Sequence, residues 1–119
     1  MTLRELYSKL HGNYNEACQR LINETMASRF VIKFLNDSSM QNLRNAVAAG
    51  DIEKSFRSVH TLKGVSANLA FTDLYNTAWT LTEHLRSRQQ TADPVMLEAL
   101  EKEYARTVAL IEEFRDSQQ

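Results

Sequence analysis

The chain has one cysteine, one proline and three glycines among 119 residues. A single thiol, Cys18, cannot close an internal disulfide, so the fold must hold by packing, and a reducing, cytoplasmic setting is expected. Cys18 itself reads as a small helical residue. Few glycines, one proline and few β-branched clusters leave little of the turn chemistry that a β-rich chain needs, which points to an all-helical protein. Charge of one sign is missing as well. Lys and Arg total 14 against 15 Asp and Glu, a formal net charge of −1, which argues against a nucleic-acid partner. Apolar runs stay short, as in Phe30–Ile32, and the first ten residues carry Arg4, Glu5 and Lys9. The start is therefore neither a signal peptide nor a membrane span, and the domain is expected to be soluble, with any membrane role reached through a partner. There is no Gly-rich phosphate loop and no kinase motif, so ATP binding is not expected. His11 and His84 form no H-x-x-x-H pair and read as ordinary surface residues, so neither a metal nor another cofactor is expected on the chain.

The residues that are present suit one compact domain over 1–119, with 43% hydrophobic and 24% charged residues in ordinary globular balance. Leu3, Leu6 and Leu10 lie at helical spacing before His11-Gly12-Asn13. A helical stretch follows over about 14–35, with a break near Asn23. Ser38 with Gln41 reads as a capping box for a helix that runs to Ala49. Gly50 suits the position past a helix end and Asp51 the next N-cap. From Asp51 to about Ala70, Ile52, Phe56, Val59, Leu62, Ser66 and Leu69 are placed inward. Thr72 reads as the cap of a helix with Leu74, Ala78, Leu81 and Leu85 on one stripe. Asp93-Pro94 is an N-cap followed by proline at the first helical position, and Leu97, Leu100, Tyr104, Val108 and Ile111 line the last helix. Short connections predict an antiparallel up-down four-helix bundle over about 38–115, with an N-terminal helical extension over about 2–35.

The informative segment is Val59-His60-Thr61-Leu62-Lys63-Gly64-Val65-Ser66-Ala67-Asn68-Leu69-Ala70. On a helix, Ile52, Val59, Leu62 and Ser66 share a core stripe, and His60 falls roughly 120° away on the flank. One and two turns beyond His60 stand Gly64 and Ala67, where larger side chains would crowd an imidazole. A glycine inside a helix costs about 0.8–1 kcal/mol relative to alanine, so its place here suggests that something bulky must approach the ring. Lys63, one turn along, can bring an ammonium to an anion on that ring. Model imidazole titrates at about 6.5, so the neutral, nucleophilic form is well populated near pH 7. Phosphoryl transfer asks for in-line approach and charge stabilisation more than for covalent chemistry by the protein.

HTLKGVSANLA resembles the motif H-x-L-K-G-x-S-x-x-L-G of histidine-containing phosphotransfer (HPt) domains, at His60, Leu62, Lys63, Gly64, Ser66 and Leu69. The approach is similar too, with Phe34-Leu35 and then Gly50-Asp51 upstream. Downstream, Leu74, Leu81 and Arg86 fit L-x-x-x-x-x-x-L-E-x-x-x-R. Ala70 stands where the motif has glycine, and Thr82 where it has glutamate. The resemblance implies a phosphorelay intermediate, a phosphoryl carrier rather than an enzyme, and a monomer. His60 would take a phosphoryl group through Nε2 from the aspartate of a receiver domain and pass it to another receiver. The Mg²⁺ is expected on the receiver, and the receivers belong to response regulators or hybrid histidine kinases. Lys63 would steady the phosphate and Gly64 would leave room for the partner.

A hairpin argument adds neighbours. The turn near 71–72 puts residues 82–84 level with His60, with Arg86 able to reach back. The turn at Gly50 puts Gln41 level with His60 on the preceding helix. Thr82 and Gln41 are thus candidate site neighbours by height alone. Phe56, Phe71 and Ala67 are candidates for an apolar docking surface, and Trp79 reads as a packing or interface residue. A competing reading is a non-phosphorylated helical adaptor that docks a receiver or a histidine kinase. The initial methionine favours a free-standing protein over a piece of a larger sensor kinase.

Overall fold

Local capping sets the order of the elements. The computed structural model describes residues 1–118, and its regular structure is helical, with no strand among the described residues. Thr2, Asn13 and Asn23 each accept a backbone N–H three residues on and start α1 (Leu3–Leu10), α2 (Tyr14–Arg20) and α3 (Glu24–Lys33). A single turn of 3-10 helix, Phe34–Asn36, ends this extension. Then come α4 (Ser39–Ala48), α5 (Ile52–Asn68), α6 (Thr72–Leu85) and α7 (Pro94–Ser117). Asp51 caps α5 by accepting from Lys54 N–H, and Asp93 caps α7 ahead of Pro94, both as expected.

Two local expectations are corrected. Ser38 makes no capping bond: its backbone is already helical, and Asp37 takes the role by accepting from Ser39 N–H at 2.9 Å. Thr72 is the first residue of α6 rather than its cap. The position before it is held by Phe71, whose N–H turns back to Ser66 C=O at 3.0 Å and whose ring is buried. The break expected near Asn23 is present: the stretch over 14–35 divides into two helices at Leu21–Asn23, where Asn23 N–H reaches Leu21 C=O and Ile22 takes φ 81°. That is a strained γ-turn for a β-branched residue.

Packing follows the chain. α5 lies against α4 on one side and α6 on the other, and α6 against α7. Arg44 of α4 reaches Glu101 of α7 at 2.8 Å. The N-terminal extension packs on α7 through α1 and α3. It also closes the end of α5: Tyr7 donates its hydroxyl to Leu69 C=O at 2.7 Å, and Asn13 N–H donates to Ala70 C=O at 3.0 Å. Burial raises the Tyr7 phenol above its ordinary range, so it stays a donor. The core joins both parts, with the Phe71 ring between Tyr7 at 5.7 Å and Phe34 at 5.6 Å.

Candidate functional site

α5 buries Ser55, Phe56, Val59, Leu62 and Ser66 and leaves Glu53, Arg57, His60 and Gly64 exposed. The helical period alone divides these two sets. His60 makes no hydrogen bond to the chain among the described residues. Its ring leans on Phe56, one turn earlier, with centroids 5.7 Å apart at 32°. Gly64 opens the space beyond: a Cβ built there would meet nothing within 4 Å. Ala67, further along, is half-buried, and its carbonyl accepts from the Arg20 guanidinium of α2. Ser66 is withdrawn, donating its hydroxyl to Leu62 C=O at 2.8 Å. A groove of about 530 Å³ between α4 and α5 runs past Arg57 and does not include His60. The imidazole therefore stands on an open flank, where a folded partner can reach it.

The cations are arranged in two ways. Lys63 is half-buried and makes no ion pair among the described residues. The Arg86 guanidinium lies 5.7 Å from the Phe56 ring. It does not reach back to His60, because it is held by Glu83, with Nη2 donating to Oε1 at 2.7 Å. That hydrogen bond lowers the Glu83 carboxyl below its ordinary range, helped by the charges of Arg86 and Lys63, and Glu83 raises Arg86 in return.

Two of the expected neighbours are corrected. Thr82 is fully buried and donates its hydroxyl to Ala78 C=O at 2.7 Å, so it faces the core. Gln41 is exposed, but it donates to Asn45 and accepts from Arg44, the residue paired with Glu101 of α7. Each side chain is turned to partners other than His60. Phe71 is likewise buried and offers no docking surface. Phe56 is buried too and serves as the backing of the His60 ring. Trp79 is nearly half exposed. His11 is exposed and pairs with Asp73 at 2.8 Å, and His84 contacts Thr91 C=O at 2.9 Å.

Sequence reasoning did not single out Glu83 or Arg88. Glu83 had a signal, the i, i+3 spacing to Arg86. Arg88 had none. It lies in the loop between α6 and α7 at φ 57°, stacks on Phe56 at 3.6 Å, and bonds Glu53 at 3.1 Å and Arg86 C=O at 2.7 Å.

No curated protein and no solved structure matches the chain. The family model described as Hpt domain matches residues 31–110. Hpt domains are phosphotransfer modules of two-component phosphorelays, carriers rather than enzymes. The match runs from the end of α3 into α7, takes in His60, Lys63, Gly64 and Arg86, and establishes that the chain belongs to the Hpt domain family.

Proposed function

We propose that His60 is the phosphoryl carrier, loaded by the aspartyl phosphate of one receiver domain and unloaded onto the aspartate of another. The observation that carries the reading is the exposed His60 ring, backed by Phe56 and facing clear space at Gly64. In the neutral tautomer with the proton on Nδ1, the Nε2 lone pair attacks phosphorus in line. The Nε2–P bond forms as the P–O bond to the aspartate breaks, and the carboxylate leaves with that electron pair. The reverse sequence on a second receiver returns the imidazole. The receiver supplies the Mg²⁺ for both steps. This chain supplies the nucleophile, the open approach and cations for the phosphoryl oxygens, Lys63 foremost.

The same reading takes α4 to α7 as an up-and-down four-helix bundle in one domain, with α1 to α3 as an extension, acting as a cytoplasmic monomer. The test uses purified receiver domains carrying labelled aspartyl phosphate. Label should pass to the wild-type chain in an acid-labile, alkali-stable form, and His60→Gln should take none. Equal labelling of His60→Gln would remove His60 from the role. A wild-type chain that binds a phosphorylated receiver without taking label would make this an adaptor.

A further inference from the structure

Once His60 carries a phosphoryl group, the flank gains a charge of about −1.5 to −2 by analogy with other phosphorylated side chains, and the surrounding cations differ in their freedom to respond. Arg88 is committed three ways, to the Phe56 face, to Glu53 and to Arg86 C=O. Arg57 lies 3.6 Å from Glu53. Among the described residues Arg86 has one carboxylate partner, Glu83 in the last turn of α6, and the two side chains are 50% and 37% exposed. An exposed pair of this kind is weakly held. The register of the α5–α6 hairpin places it. Arg86 lies beside Phe56, so Glu83, three residues earlier on the returning helix, comes level with residues 59–60 of α5. Lys63 is close enough for its charge to act on the Glu83 carboxyl. Glu83 is thus the acidic group that pairs with Arg86 and lies in the field of Lys63.

We infer that Glu83 is a built-in counter-ion, a positioning residue that holds Arg86 beside the Phe56 ring that backs free His60 and releases it to the phosphoryl group after transfer. This rests on His60 being the carrier. While the ring is unmodified, the carboxylate keeps the guanidinium from drifting into solvent and keeps the flank from becoming a bare cationic patch. After transfer, the phosphoryl oxygens compete for the same donors and, carrying more charge, take them. Glu83 therefore sets how strongly the chain retains its phosphoryl group, by making each cation leave one anion to reach another.

The test loads the chain chemically with phosphoramidate, in which the P–N bond to the amine breaks, ammonia leaves and the Nε2–P bond of His60 forms. The readout is the pH midpoint of the ³¹P resonance, which reports the field on the phosphoryl group and is insensitive to simple loss of stability. Glu83→Gln should lower the midpoint by about 0.3–0.7 pH unit, a two- to fivefold change in the ionisation constant, which is the scale of an exposed ion pair. Glu83→Asp should stay near wild type and Arg86→Ala should raise the midpoint. In the Arg86→Ala background, Glu83→Gln should have a clearly smaller effect than it has alone. An unchanged midpoint in Glu83→Gln, or an equal shift with and without Arg86, would overturn the inference. A wild-type chain with no ³¹P signal would instead bring down the carrier reading beneath it.

Discussion

The two turns that bound α5 share one backbone geometry and differ in the residue at its left-handed position. Before α5, Gly50 has φ 68°, with Gly50 N–H to Val47 C=O and Asp51 N–H to Ala46 C=O. After α5, Ala70 has φ 56°, with Ala70 N–H to Ala67 C=O and Phe71 N–H to Ser66 C=O. Both are the paired bonds that end a helix through a left-handed residue. Glycine takes that conformation freely, whereas an L-residue loses about 1–2 kcal/mol. The first turn is exposed at Gly50. The second has help from far along the chain, since Tyr7 and Asn13 bond the carbonyls of Leu69 and Ala70 and the Tyr7 ring packs on Phe71. A strained turn near the end of the site helix is thus held by tertiary contacts from the N-terminal extension, most of which lies outside the matched residues 31–110.

Three substitutions break or sharpen that contrast. The largest effect is expected for Gly12→Ala. Its Cβ would stand 2.6 Å from the backbone oxygen of Ala70 and 2.9 Å from the Tyr7 ring, forcing the extension off the turn at a loss of about 2–3 kcal/mol. Chemical denaturation measures it, and a loss below about 1 kcal/mol would mean that the extension is not pressed on the turn. Next is Gly50→Ala, where nothing lies within 4 Å of the new Cβ. Its cost of about 1 kcal/mol is purely that of the dihedral, and a neutral result would show that the turn relaxes. The smallest is Ala70→Gly, for which relief of strain, partly offset by a freer unfolded chain and a lost methyl contact, predicts a gain of about 0.5 kcal/mol. A fall in melting temperature would show that the methyl contributes more than its conformation costs.

What could be read without the structure was whatever acts within one helix. His60, Lys63, Gly64 and the Val59–Leu62–Ser66 stripe lie where 3.6 residues per turn puts them, because rise and rotation along a helix do not depend on its neighbours. Asp51 and Asp93 were legible as caps for the same local reason. Ser38 and Thr72 were not, since Asp37 and Phe71 compete with them through contacts one residue away. Gln41 and Thr82 failed on facing. A hairpin fixes how far along the neighbouring helix a residue lies, while packing of Leu81 and Leu85 into the core fixes which way that helix is turned.

The amino-acid order alone thus determined the helical class, the helix that carries the site, and the imidazole, lysine and glycine that share its flank. Only the tertiary structure decided which groups meet that flank from elsewhere: Arg86 held by Glu83, Arg88 stacked on Phe56, and the extension closing the end of α5. The reason is that spacing within a helix follows from backbone geometry, whereas contacts between helices depend on rotation and loop path, which the whole core sets at once.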